Sequence, residues 1–321
     1  MKNQTNKISS RRHAIAAIAL AALLPFSVSA QKAAEPLRIG FQKSASLLTL
    51  LKSQGTLEKR LAPLGVEVKW VEFPAGPQLL EGLNVGSIDF GYVGEAPPIF
   101  AQAAGANFIY VGYEVPAPAA EAVIVPKDST IKTVADLKGK KVALNKGSNV
   151  HYLLVKLLEK AGLKYSDIQP IFLPPADARA AFERGSVDAW VIWDPFLAAA
   201  EKQLDAKLLA DGKGVVNNHA FFLAARTYAE RRQDVITLLF DVLSKQGQSI
   251  IKDYKSAAQA LSPLQGLAPE VIEVSLRRYS HDVRPLNASV IAEQQKIADV
   301  FTELQLIPKK INVRDAAPLL K

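Results

Sequence analysis

Cysteine is absent from all 321 residues. That excludes disulfides, a thiol nucleophile, thiolate metal sites and a lipid anchor on a cysteine after a leader. Histidine is scarce, with only His151, His219 and His281 beyond the first 30 residues. Neither HExxH nor any other metal-ligand spacing occurs, so no metal is expected. A GxSxG nucleophile elbow and a GxxxxGK[ST] phosphate loop are missing too, and neither a cofactor nor catalysis is expected. No apolar run after residue 30 approaches a membrane span. A basic stripe with interleaved aromatics is also lacking, which argues against nucleic acid as a partner.

The basic excess has a local origin. Lys2, Lys7, Arg11 and Arg12 precede an apolar run from Ala14 to Phe26, and Val28-Ser29-Ala30 offers small residues for cleavage. Residues 1–30 therefore read as a secretory signal peptide cut before Gln31. Ser10-Arg11-Arg12 leaves the general secretory and twin-arginine routes both open. The leader carries four basic and no acidic residues, so its removal takes the formal net charge from +8 to +4. An exported, unanchored chain is expected in the periplasm of a bacterium with two membranes.

What the chain does contain is a motif written twice. Gly86 to Pro97 reads GSIDFGYVGEAP, and Gly185 to Pro195 reads GSVDAWVIWDP, at a constant offset of 99 residues. The offset is too long for a solenoid repeat, whose period is about 20–50 residues, and fits two similar α/β lobes. Strands are predicted over 37–41, 66–73, 88–93 and 109–114, with helices over 44–53, 77–85 and 97–104 between them. A second series starts after Pro116-Ala117-Pro118. It has strands over 122–125, 141–144, 171–173, 189–192 and 221–225, and helices over 134–139, 150–161 and 176–183. From 227 the pattern is helical, over 227–255, 269–279 and 288–304. The expected fold is α/β, with two mostly parallel-sheet lobes joined by a two-crossing hinge. Lobe 1 would take residues 31–117 plus 226–321 and lobe 2 residues 118–225, with crossings near 116–122 and 222–226.

Four strand-to-helix junctions carry small or polar residues: Gln42-Lys43-Ser44, Gly94-Glu95-Ala96-Pro97, Lys146-Gly147-Ser148-Asn149 and Trp193-Asp194-Pro195. In parallel α/β lobes such junctions lie at the carboxyl ends of the strands, where ligands bind. Free N–H groups and a positive helix end suit an anion there. Ser148 and Asn149 add side-chain donors. Glu95 and Asp194 fit two readings, helix capping or recognition of an ammonium group on a zwitterionic ligand. Trp193, at a strand end, is the candidate apolar wall, while mid-strand Trp190 reads as core. His151 and His219 fall near the rim, and His281 reads as a surface loop residue.

Three stretches carry a family resemblance. EFPAGPQLLEGLNVGSIDFGYVGEAPPIFAQAAGA starts at Glu72, VADLKGKKVALNKGSNVHYLLVKLLEKAGL at Val134 and PPADARAAFERGSVDAWVIWDPF at Pro174. They resemble the aliphatic sulfonate-binding proteins of bacterial ABC importers, within the nitrate/sulfonate/taurine group. The resemblance implies a bilobed type II periplasmic binding fold that works as a monomer. It implies an organosulfonate held in the cleft and delivered to a membrane permease driven by an ATPase. It also implies contacts from Gln42, Ser46, Gly94, Glu95, Ser148, Asn149, His151, Trp193 and Asp194. A sulfonate stays ionised and offers three oxygen acceptors, which fixed N–H groups suit. Taurine, an aromatic sulfonate, a sulfate ester and nitrate remain alternatives, as do an enzyme on the same fold and a sensor subunit.

Overall fold

The computed structural model describes residues 35–318. The expected signal peptide, residues 1–30, lies outside the described residues.

The first series runs β1 (Glu35–Phe41), α1 (Ser46–Gln54), α2 (Thr56–Leu61), β2 (Val66–Glu72), α3 (Gly76–Asn84), β3 (Phe90–Gly94), α4 (Ala96–Ala103) and β4 (Phe108–Glu114). The second runs β5 (Glu121–Val125), β6 (Lys141–Leu144), α5 (Asn149–Lys160), β7 (Gln169–Phe172), α6 (Pro175–Glu183), β8 (Ala189–Trp193), α7 (Phe196–Gln203) and β9 (Lys207–Asp211). The chain closes with β10 (Ala220–Ala225), α8 (Arg226–Arg231), α9 (Gln233–Lys252), α10 (Tyr254–Gln265), α11 (Pro269–Arg278), β11 (Val283–Arg284) and α12 (Ala288–Glu303). Among the described residues no helix is long and apolar enough to cross a membrane.

The helical stretch expected over 227–255 is three helices in part. Arg232 and Asp253 leave helical geometry, with ψ near 52° and 83°. The Asp253 side chain then accepts from Ser256 N–H, starting α10 as a new helix. The short strands β9 and β11 were not anticipated. β9 reads KLLAD, with charged ends and its first two residues exposed, and it pairs only with β5 at the sheet edge.

Two sheets form, in the orders β11-β4-β10-β3-β1-β2 and β7-β6-β8-β5-β9. Leaving β11 aside, both share one pattern, with β10 and β5 in equivalent places. The sheets are mostly parallel, as expected, with a minority of strands running against the rest. β10 runs antiparallel to β3 and β4, and β5 antiparallel to β8 and β9. The cause is connectivity. The chain leaves one sheet at the carboxyl end of β4 or β9 and comes into the other from that same side, so its first strand must run away from it.

β10 also corrects the lobe boundary. The strand expected over 221–225 lies in the first sheet, between β3 and β4. Its all-apolar run announces a buried strand, but burial alone does not say in which sheet. The return connection therefore falls within residues 212–219.

The repeated motif has a structural purpose in each sheet. Asp89 N–H donates to Arg38 O at 2.7 Å, and its carboxylate accepts from Arg38 N at 2.9 Å. Asp188 does the same to Lys141, at 2.8 and 2.7 Å. Asp89 pins the start of β3 to β1 and Asp188 the start of β8 to β6, which sets where the carboxyl end of each pinned strand emerges. Asp89 also takes the Arg38 guanidinium at 2.7 Å. Apolar faces do the rest. Leu37, Ile39, Leu47 and Leu50 pack with Leu239 and Leu276 of the C-terminal helices. Trp190 is core, as expected, only 1% exposed and 5.9 Å from the Phe182 ring.

Replacing Asp89 by Ala removes bonds to a buried backbone N–H and to Arg38, and should lower stability by about 2 kcal/mol in urea unfolding. Asp188→Ala, which loses no arginine partner, should cost less; an equal or larger loss at 188 would overturn this account of the repeat.

Candidate functional site

A cavity lies where the carboxyl ends of the two sheets meet. Gln42 and Ser44 follow β1, Tyr92 and Gly94 end β3, and Glu114 ends β4. From the second sheet come Ser148 and Asn149 at the start of α5, and Trp193 at the end of β8. Ala117 and Asn218 line it from the two connections, and Tyr279 and Ser280 from the segment after α11.

The four junctions expected to offer donors are not equivalent. α1 and α5 begin without any side-chain cap, so backbone N–H groups of their first turns remain available beside the cavity. α4 does not. Its second and third residues are Pro97 and Pro98, which carry no N–H, and Ala96 N–H is taken by Asn149 Oδ1 at 3.2 Å. α7 is closed as well: Pro195 lacks a donor and Asp194 Oδ1 already accepts from Ala198 N–H at 2.9 Å.

Asn149 connects the two sides. It caps α4 through Oδ1 and donates to Asn218 Oδ1, and Asn218 donates to Ala117 O at 2.9 Å. The approach is so close that a Cβ on Gly94 would stand 2.0 Å from Asn149 Oδ1. Gly147, just before this helix, has φ +75°, a conformation that favours glycine.

The structure brings Gln42, Gly94, Ser148, Asn149 and Trp193 together on the cavity wall. Gln42 is oriented by its bond to Tyr92 O at 3.0 Å, and Ser148 Oγ by Asn145 O at 2.7 Å. The other four expected residues do not line the cavity. Ser46 is buried in the first turn of α1, and Ser44 takes the place at the wall. His151 is fully buried, with Nδ1 accepting from Gly147 N–H at 3.2 Å and Nε2 3.0 Å from the Tyr165 hydroxyl. Burial, and then Lys146, push it down to about pH 4, so it is a neutral brace for the Gly147 loop.

Glu95 neither caps α4 nor reaches the cavity wall. Its Oε2 accepts from His219 N–H at 2.8 Å, because Ala220 pairs with Gly94 and draws the return connection alongside. Asp194 caps α7, one of its two expected readings, and pairs with Arg278 at 3.3 Å. Burial raises it to about 7 against the pull of Arg278. His281, expected at the surface, is 3% exposed and bonded to Leu276 O at 2.9 Å. Glu114, Tyr279 and Asn218 were missed. They sit at a strand end, past a helix end and in a connection, and carry no local motif.

No lysine or arginine is among the lining residues. A ligand anion here would face helix ends, amides and hydroxyls beside the Trp193 wall. Glu121, at the cleft-side start of β5, has both carboxyl oxygens buried without partners. Burial, with the Glu95 charge added, holds it well above the usual carboxylate range.

Two sheets of matching strand order, facing each other across a cavity at their carboxyl ends, define a bilobed type II periplasmic binding fold. Residues 62–255 match the family described as NMT1/THI5 like. The chain is 48% identical over 301 residues to a relative from Escherichia coli (strain K12) that carries the name of an aliphatic sulfonates-binding protein, covering 92% of this chain and 94% of that one. Two solved structures are also similar. The alkanesulfonate-binding protein SsuA from Xanthomonas axonopodis pv. citri, bound to MOPS, is 46% identical, with TM-score 0.84. The periplasmic aliphatic sulphonate binding protein SsuA from Escherichia coli is 48% identical, with TM-score 0.80. Each match covers 88% of this chain and 97% of the other. The chain belongs to the NMT1/THI5-like family.

Gly94→Ala, whose Cβ would meet the Asn149 side chain, should weaken ligand binding at least tenfold, about 1.4 kcal/mol; unchanged affinity in calorimetry would refute the close approach of Asn149. The second test concerns Glu121. Its raised carboxyl makes the folded chain hold the proton more tightly than the unfolded chain. That stability is complete below the ordinary value of 4.5 and is lost as pH rises towards the raised one. In Glu121→Gln the fall in Tm between pH 5 and pH 8 should shrink, and an unchanged fall would remove Glu121 from the account.

Proposed function

We propose that this chain is the solute-binding component of an ABC importer. It captures aliphatic sulfonates in the cleft between its lobes and hands them to a membrane permease driven by an ATPase. The observation that carries the reading is the cavity itself, where two uncapped helix N-termini, α1 and α5, border a wall that has amide and hydroxyl groups but no cationic side chain. Such a site stabilises a permanently ionised, multi-oxygen anion with fixed dipoles and exchanges no proton with it. Trp193 and Tyr92 give the tail an apolar surface. The names of the similar proteins support the same ligand class and a periplasmic location.

The working division takes residues up to about 117 and from 220 onward as one lobe and the segment between as the other. Ligand contacts to both would shift the population towards closure, with Asn149 meeting Gly94, Ala96 and Asn218. The protein acts as a monomeric binder rather than an enzyme, in keeping with relatives that are binding proteins over nearly their whole length.

Calorimetry on residues 31–321, unfolded and refolded to remove carried ligand, tests the proposal with ethanesulfonate, hexanesulfonate, sulfate and nitrate. Micromolar or tighter binding of the sulfonates, about 8 kcal/mol, is expected, with sulfate and nitrate at least a hundredfold weaker. Silence towards every sulfonate, or preference for nitrate, would overturn it.

A further inference from the structure

The cavity is chemically lopsided. Sheet register places Gly94, Ala220 and Glu114 side by side on three adjacent strands, since Ala220 pairs with both of the others. With strands about 4.8 Å apart, Glu114 is about 10 Å from Gly94 along the cavity wall. The Gly94 end is where Asn149 and the start of α5 stand. The far end therefore carries a carboxyl group.

That carboxyl is half satisfied. Glu114 is 4% exposed, and Oε1 is buried with no hydrogen-bond partner. The Tyr92 hydroxyl and the His281 backbone N–H favour the ionised carboxyl against burial, but neither serves Oε1. The His281 ring cannot serve it either. Its Nε2 bonds to Leu276 O at 2.9 Å and so carries the proton, which leaves Nδ1 a bare acceptor 3.8 Å from Oε1. The Tyr279 hydroxyl, also on the cavity wall, is spent on Asp194 O at 3.1 Å. Leaving a buried acceptor unmade costs free energy that a ligand donor would recover and an alkyl tail would not.

We infer that the cleft selects sulfonates whose tail carries a hydrogen-bond donor, an ammonium group above all, and that Glu114 is the residue that receives it. The inference rests on the sulfonate reading of the cleft and names the subclass. Glu95, the carboxylate that the sequence offered for this role, is committed to His219 N–H. A hydrogen bond of about 3 Å at each end leaves a short aminoalkyl chain to span the interval.

Titration supplies a second signature. Burial raises Glu114 to about 7. The titratable groups facing it are Tyr92 of β3, Tyr279 at the end of α11, and His281 and Asp282 leading into β11. Tyr92 and Tyr279 are raised by burial and stay neutral, burial lowers His281 to about 4, and Asp282 contributes a negative charge already paired with Arg284. Among these groups Glu114 is the one whose charge changes near neutrality; Asp194, raised to a similar value, lies off the cavity wall and is paired with Arg278. Ionised, Glu114 attracts an ammonium and repels a plain anion.

The test uses matched pairs: 2-aminoethanesulfonate against ethanesulfonate, and 3-aminopropanesulfonate against propanesulfonate, by calorimetry from pH 5.5 to 8. The amino member of at least one pair should bind tenfold or more tightly at pH 8, with its affinity rising with pH while that of the alkyl partner falls. Glu114→Gln should shrink the ratio at least tenfold and abolish the opposed slopes. Equal affinities within both pairs, or a preference that survives in Glu114→Gln, overturns the inference while leaving sulfonate binding intact. If no sulfonate binds, the parent reading falls and takes this one with it. The opposed slopes are read on the unaltered protein, so a variant that fails to fold does not blunt the test.

Discussion

Asn149 is the contact on which the geometry of the cleft depends. One amide side chain at the start of α5 caps α4 of the other sheet and holds Asn218 of the return connection. It fits only because residue 94 has no Cβ. The same contact fixes how near the uncapped end of α5 lies to the uncapped end of α1, and so where dipoles can converge on an anion. Around it, each surrounding part has a positioning task. Asp89 fixes β3 and Asp188 fixes β8, His151 braces the Gly147 loop and Gln42 lies against Tyr92.

The electrostatics follow from this arrangement. Buried carboxyl groups ring the region, with Glu95, Glu114, Glu121 and Asp194 all at most 4% exposed. Four full negative charges beside an anion would repel it. Burial works against that by favouring the neutral form of Glu114, Glu121 and Asp194, and Arg278 offsets what charge Asp194 keeps. Glu95 accepts a backbone N–H from the return connection. The charge state of the cleft is therefore a property of packing, since these residues belong to four different strands or junctions that share only their burial.

Much of this was legible in the sequence, and the limits of that legibility are physical. Periodicity, turn residues and the 99-residue repeat fixed the alternation of strands and helices, because backbone propensity and apolar spacing are local. The strand-end residues Gln42, Gly94, Ser148, Asn149 and Trp193 could be named because a junction in an α/β fold announces where the strand ends. What sequence could not supply was partnership. Glu95 and His151 sit at the right junctions, yet their side chains are claimed by His219 N–H and Gly147 N–H, groups whose proximity depends on how the sheets close.

The amino-acid sequence by itself determined the α/β class, the doubled organisation, the absence of thiol chemistry and the junctions that border the cavity. Tertiary structure alone decided that β10 belongs to the first sheet, that α4 and α7 are closed to a ligand, and that Glu114 faces the cavity. The reason is range. The first set rests on interactions within a few residues along the chain, whereas strand order, burial of a carboxyl group and the meeting of Gly94 with Asn149 join residues that only the closed fold brings into contact.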